Sequence, residues 1–328
     1  MHTDEVLSVA VVVPSWNTLA LLPRCLRSVR EQDVAAELLV VDNGSRDGSV
    51  DWLRSEGIEH VALPENVGFA AAVNLGARRV AAAAILVLNA DTVLEPGCLA
   101  RLREALANDA SLGGVQPRIL QLDGEARQGT GGPGGDPAAA RLYSAGQALT
   151  RDGRAFELGM GEAGRPELLR RREVFGVCGA ACLLRRELFD QLGGYDESYF
   201  SFYEDVDLNV RARIAAWRFE YAPEAVVWHV GNAAWSDGFE RPGAENARLV
   251  ARNRLSTQVK FVPPAALPRI VAVEAGSLLR AARQRRLGAT LRGKLEALRQ
   301  LAALLRERRR LAESGDPARA RTWLGRFL

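Results

Sequence analysis

Val6-Leu-Ser-Val-Ala-Val-Val-Val13 runs into Pro14-Ser-Trp-Asn17, and the arrangement recurs twice downstream. Leu38-Leu-Val-Val41 precedes Asp42-Asn-Gly-Ser45, and Ile85-Leu-Val-Leu88 precedes Asn89-Ala-Asp91. A short, continuous apolar run ended by turn residues is the pattern of a strand buried on both faces. Between these runs the apolar period changes. Leu22, Leu26 and Val29 share one face of a helix over residues 19–30, in which Pro23 is tolerated only in the first turn. Helices are also expected at 47–56, 69–80 and 97–107, and a further strand at 58–63. Strands alternating with such helices imply an α/β fold, a mostly parallel sheet with helices on both faces. Ligands of such sheets bind at the carboxyl ends of the strands, where all three polar groups stand.

Outward from this core the pattern changes. Gly129-Thr-Gly-Gly-Pro-Gly-Gly135 reads as a flexible loop. Residues 143–161 hold short segments around Arg151-Asp-Gly153, as in a hairpin, and regular structure resumes near Val174. After Pro263-Pro264, Leu, Ala and Arg recur at helical spacing, which predicts one or two helices.

The chain has 328 residues, 48% hydrophobic and 25% charged, as in a soluble globular protein of one large or two ordinary domains. Its net charge of +3 hides a split: residues 275–328 hold 14 basic and 4 acidic groups, residues 1–274 hold 29 and 36. An acidic body with a basic tail and no recognised motif is not expected to bind nucleic acid. No apolar run approaches the roughly 18 residues of a membrane span. Met1-His-Thr-Asp-Glu5 is acidic where a secretory leader is basic, so a cytoplasmic location is expected. Cys25, Cys98, Cys178 and Cys182 suit neither a disulfide scaffold nor a zinc site and are expected as buried thiols.

Several residues could carry chemistry, each with a plainer reading beside it. Asp91 at a strand end can bind a divalent cation through oxygen, or merely cap a turn. Asp42 can accept from a base or ribose, or form an Asx-turn with Gly44. Glu204 and Asp205 precede Val206, Val210, Ile214 and Trp217, which recur at helical spacing. The two acids therefore fall in a first helical turn, where the dipole keeps a carboxylate ionised. Asp205 is a candidate general base or a simple dipole partner. His229 in Ala225-Val-Val-Trp-His-Val230 is a metal ligand or a core imidazole. Arg252 and Asn253 could reach a phosphate or cover a solvated helix face.

Taken in order, these pieces resemble family 2 glycosyltransferases of the GT-A fold, particularly bacterial rhamnosyltransferase-like members. The matching pieces are Val11-Val-Val-Pro-Ser-Trp-Asn17, Val41-Asp-Asn-Gly-Ser45, Asn66-Val-Gly-Phe69 with Asn74, and Leu88-Asn-Ala-Asp-Thr92. Gly176-Val-Cys-Gly-Ala-Ala181, Gly193-Gly-Tyr-Asp-Glu197, Tyr203-Glu-Asp-Val-Asp-Leu208 and Trp228-His229 follow. The resemblance spans about residues 8 to 262. It implies that Pro14, Trp16, Asn17, Asp42, Asn66, Gly68, Phe69 and Asn74 form the donor pocket. Asn89-Ala90-Asp91 stands at the family's D-x-D motif, with Asn89 replacing the first Asp. Asp91 and His229 would hold Mg²⁺ or Mn²⁺, Asp205 would be the catalytic base with Glu204 beside it, and Arg252-Asn253 would touch the diphosphate.

The implied activity is metal-dependent, inverting sugar transfer from a nucleotide-diphosphate donor, such as dTDP-rhamnose, to a cell-surface glycan or lipid-linked precursor. The alternative is a catalytically silent protein that binds a sugar nucleotide. A nicotinamide-dependent oxidoreductase is disfavoured, since Pro14-Ser-Trp-Asn17 stands where G-x-G-x-x-G would be needed. Residues 1–120 would bind the donor, 121–262 the acceptor, and 263–328 would form a basic amphipathic tail. That tail would lie on the anionic inner face of the cytoplasmic membrane, pack on the body, or form a homodimer contact.

Overall fold

The computed structural model describes residues 7–122, 136–163, 165–231 and 243–322. The acidic start and the Gly-rich stretch 129–135 lie outside the described residues. The chain opens with β1 (Val9–Ser15), α1 (Leu22–Arg30), β2 (Glu37–Asp42), α2 (Ser49–Ser55), β3 (His60–Ala62), α3 (Phe69–Arg79) and β4 (Ala84–Leu88). Pro23 sits in the first turn of α1, where its missing N–H costs no hydrogen bond. β1 pairs in parallel with β2 and β4, and β2 in parallel with β3.

β5 (Thr92–Leu94), α4 (Cys98–Asn108), β6 (Leu112–Gln121) and β7 (Leu142–Ser144) follow. The expected hairpin is β8 (Gln147–Leu149) with β9 (Ala155–Glu157), paired antiparallel. Next come β10 (Arg172–Val174), β11 (Ala181–Arg185), α5 (Arg186–Gln191), α6 (Glu204–Ile214) and β12 (Arg218–His229). The sheet runs β10-β12-β6-β11-β4-β1-β2-β3, with β5 added on β12 and β7 on β6. β12 pairs in parallel with β6, and β11 is antiparallel to both β4 and β6.

Each central strand feeds two cores. Ala10 and Val12 of β1 and Ile85 and Val87 of β4 pack under α3, whereas Val9, Val11, Val13, Leu86 and Leu88 pack under α1 and α4. This two-sided burial explains the unbroken apolar runs in the sequence.

Among the described residues four α-helices follow residue 263, not the one or two expected: α8 (Leu267–Arg283), α9 (Leu287–Arg299), α10 (Leu301–Ser314) and α11 (Pro317–Arg321), after α7 (Ala244–Phe261). The first break has no Gly or Pro to announce it. Arg285 adopts φ 57° in the left-handed region, and Arg286 N–H bonds back to Ala281 C=O at 2.8 Å. That is a Schellman closure with arginine at the position usually given to glycine. Nor do these helices hang free. α9 lies so close to α7 that a Cβ on Gly293 would sit 2.1 Å from the Arg248 carbonyl oxygen, and Arg308 donates to Val259 and Val262 carbonyls. Among the described residues no helix is long and apolar enough to cross a membrane.

Candidate active site

One cavity of about 550 Å³ opens above the carboxyl ends of β1, β2 and β4 and reaches the start of α6. It is lined by Pro14, Trp16, Asn66, Phe69, Asn89, Ala90, Asp91, Glu204, Asp205 and His229 among the expected residues, together with Asn43, Tyr143, Gln147, Glu157 and Cys178.

Asp91 and His229 meet because β5 and β12 pair with Thr92 opposite His229, and Val230 N–H bonds to Asp91 C=O at 3.0 Å. Both side chains are buried. His229 Nε2 lies 3.1 Å from Asp91 Oδ1, yet neither ring nitrogen makes a hydrogen bond. Buried polar atoms are almost always satisfied, so an orphaned imidazole beside a carboxylate fits a divalent cation held between them. Tyr143 packs edge-on against the ring at 4.5 Å and limits its rotation.

Asp205 is held from three sides. Oδ2 accepts from Gly179 N–H at 2.9 Å and from Gln147 Nε2 at 2.7 Å, and Oδ1 accepts from Val206 N–H at 2.7 Å. Burial pushes its carboxyl up from the ordinary range, and these donors oppose the shift. The Gln147 amide has a fixed sense, because its Oε1 accepts from Asn209 Nδ2, and Asn209 Oδ1 accepts from Val177 N–H. Asn209 approaches so closely that a Cβ on Gly176 would lie 2.2 Å from its Cγ. Glu204 is buried, with one carboxyl oxygen unbonded, and desolvation followed by the Asp205 charge pushes it well above the carboxylate range.

The sequence reading missed Glu157, which the β8–β9 hairpin brings to the same wall. It accepts from Ser144 Oγ at 2.5 Å and from Gln147 Nε2 at 3.0 Å, so one amide holds both Glu157 and Asp205. Burial, then the Asp205 charge, raises its pKa to about 7. Glu157, Cys178 and Asp205 bring ligand atoms within 4.8 Å of one another. Desolvation holds Cys178 as a thiol, which makes this group a poorer cation site than Asp91 with His229. The available signal was a polar residue on each of two short apolar strands.

Six expected donor residues do not line the cavity. Asp42 is fully buried, with Oδ1 accepting from Ser45 N–H at 2.9 Å; its neighbour Asn43 lines the wall instead. Asn17 ties β1 to the same turn, accepting from Arg46 N–H and donating its own N–H to Ser45 Oγ. Asn74 bonds Tyr195 at both N–H and C=O. Gly68, at φ 93°, leaves room for the Phe200 carbonyl, which a Cβ would approach to 2.5 Å.

Arg252 and Asn253 also point elsewhere. Arg252 donates to the Ser198 and Tyr199 carbonyls, and Asn253 Nδ2 to those of Tyr199, Ser201 and Phe202. That segment is strained, with φ positive at Phe200, Phe202 and Tyr203. Each such residue costs roughly 1–2 kcal/mol. The pair on α7 therefore clamps the backbone that delivers Glu204 and Asp205.

The chain is similar to several known proteins. Over 214 residues the chain is 30% identical to the N-acetylglucosaminyl-diphospho-decaprenol L-rhamnosyltransferase of Mycobacterium tuberculosis, covering 58% of this chain and 66% of that protein. Over 235 residues it is 30% identical to an N-acetylglucosaminyltransferase of Mesorhizobium japonicum, covering 67% of this chain and 50% of the relative. The chain thus spans less than two thirds of either curated relative. Its fold is that of GalNAc-T7 crystallised with UDP, GalNAc and Mn²⁺ (TM-score 0.58, 18% identity, covering 80% of this chain and 52% of that one). It is also that of a Pyrobaculum calidifontis mannosyltransferase bound to GDP-Man and Mn²⁺ (TM-score 0.51, 20% identity, covering 96% and 87%). The Glycosyl transferase family 2 profile matches residues 10–193, more than half of the chain, and the chain belongs to that family.

Proposed function

We propose that this chain transfers a sugar, with inversion, from a nucleotide-diphosphate donor to a lipid-linked glycan acceptor in the cytoplasm. The observation that carries the reading is one cavity holding Asp91 beside the unbonded His229 imidazole, together with the hydrogen-bonded Asp205 carboxylate. Residues 1–120 would bind the donor over the strand ends, with Trp16, Asn43, Asn66 and Phe69 against the nucleotide, and 121–262 the acceptor. The mycobacterial relative supports rhamnose as the donor sugar and a polyprenyl diphosphate as the acceptor carrier.

In this mechanism Asp205 accepts the proton of the acceptor hydroxyl as its oxygen bonds to the anomeric carbon. The sugar–phosphate bond breaks on the opposite face, so no protein nucleophile is needed. A Mg²⁺ or Mn²⁺ held by Asp91 and His229 would offset the charge of the departing nucleoside diphosphate. Gln147, Gly179 and Val206 hold Asp205 in position, with Glu204 buried beside it.

The helices after residue 263 would seat the protein on an anionic membrane. Leu287, Leu291, Leu295 and Leu298 are exposed on α9 at helical spacing, with Arg292 and Arg299 among them.

Thermal unfolding with a panel of nucleotide sugars, in Mn²⁺ or in EDTA, tests the reading. A stabilisation that needs Mn²⁺ and is lost in Asp91→Ala is expected, and the strongest ligand names the donor. Stabilisation indifferent to EDTA would remove the metal role. Donor binding without turnover on any acceptor would favour the catalytically silent alternative.

A further inference from the structure

A second cavity, of about 380 Å³, lies between α7, α8 and α9 and shares Phe202 and Val250 with the wall of the first. Its charge is one-sided. Arg254, Arg280 and Arg286 line it. Glu274 is taken up by Arg254, at 2.8 and 2.9 Å, and by Lys294. Neither Arg280 nor Arg286 has an ion pair or side-chain hydrogen bond among the described residues. Burial, then the Arg254 charge, pushes the nearby Lys294 down to about 8.

The backbone is bent to bring these arginines together. Arg280 lies in the last turn of α8, and Arg286 immediately precedes α9. Arg285 between them holds the left-handed turn at φ 57° without glycine's freedom. Arginine forks match phosphate oxygens in geometry and charge. Just outside, Leu279, Leu287 and Leu291 are exposed on the same two helices.

We propose that this cavity is a phosphate subsite that takes the diphosphate of the lipid-linked acceptor. Arg280 and Arg286 grip the diphosphate, the sugar reaches past Phe202 and Val250 toward Asp205, and the polyprenyl chain leaves along the exposed leucines. The assignment of the phosphate to an acceptor rests on the proposed function; the cationic cavity itself does not.

The test is binding of farnesyl diphosphate, inorganic pyrophosphate and farnesol to the full chain in EDTA, by calorimetry, for the parent and the Arg280→Gln/Arg286→Gln variant. Flotation with phosphatidylglycerol vesicles runs in parallel. Both arginines are on the surface, so the variant should fold, which its unfolding temperature checks. Farnesyl diphosphate should bind the parent and weaken on the order of 10- to 100-fold in the variant, with farnesol weak on both. Equal binding to parent and variant, or farnesol as tight as farnesyl diphosphate, overturns the subsite. Pyrophosphate binding as tightly as farnesyl diphosphate, and lost in the variant, overturns the lipid assignment in favour of free diphosphate. Loss of vesicle flotation with farnesyl diphosphate binding intact overturns it in favour of lipid headgroups. A nucleotide-sugar stabilisation retained in the variant shows that the donor reading stands or falls separately.

Discussion

In Asp205, the proposed base, two effects oppose each other: burial raises its proton affinity, and the Gly179, Val206 and Gln147 donors lower it. Replacing it with Asn keeps the shape and removes the proton acceptor. Transfer should fall by roughly 10²- to 10⁴-fold in kcat, while donor-induced stabilisation stays near the parent value. Near-normal turnover would remove Asp205 from the mechanism. Glu157 makes a different prediction. Its folded pKa of about 7 is above its ordinary 4.5, so the folded state holds a proton that the unfolded chain has released. Stability therefore falls as pH rises from about 4.5 to 7. Glu157→Gln lacks this proton, and its unfolding temperature should gain on the parent across that window; parallel curves would show that Glu157 is an ordinary carboxylate. At this scale Asp91, Asp205 and His229 were legible because each stands at an element end that the apolar pattern marks. Gln147 and Glu157 were not, since a three-residue strand carries too little periodicity to tell which face it turns inward. Asp42 also follows an apolar run, but its side chain is buried and its neighbour Asn43 lines the cavity, a difference of one position that the apolar pattern does not record.

At the scale of elements, the loop before α6 and the helix that clamps it form one device. Positive φ at Phe200, Phe202 and Tyr203 is a standing cost, met by the amide of Asn253 and the guanidinium of Arg252. Asn253→Ala should lose about 2–3 kcal/mol of stability, because it leaves buried carbonyls without donors beside a strained turn. If the loop relaxes, kcat should fall on the order of 100-fold with little change in donor affinity. A variant with normal kcat would mean that the loop holds its shape unaided. Sequence reading found the reactivity-bearing pair Glu204-Asp205 and the polar pair Arg252-Asn253. It assigned the second pair to a phosphate because no pattern in the chain records which backbone carbonyls a distant helix will meet.

At the scale of the molecule, the charge split of the sequence becomes an arrangement in space. The acidic body holds the cavity lined by Asp91 and Asp205, and the basic helices pack against it through Gly293 while exposing a leucine face. Replacing Leu291 and Leu295 together with Ser should weaken flotation with anionic vesicles by roughly 10- to 100-fold and leave nucleotide-sugar binding unchanged. Unchanged flotation would locate membrane contact elsewhere. Point substitutions are preferable here to truncation near Val273, which would strip α9 from α7 and uncover the clamp as well as the leucines. The mostly parallel first half of the sheet was readable from alternation alone. The count of outer helices was not, because Arg285 makes a turn that sequence patterns reserve for glycine.

The contact at Gly293 has a mechanical consequence. At Gly293 α9 meets the α7 backbone with no side chain between, Arg248 of α7 pairs with Glu296 of α9 beside it, and α7 in turn grips the segment that carries Asp205. A bulkier residue at 293 would press on the α7 backbone, and so on the helix whose Arg252 and Asn253 hold that segment. The packing of α9 and the placement of Asp205 are thus coupled through one helix.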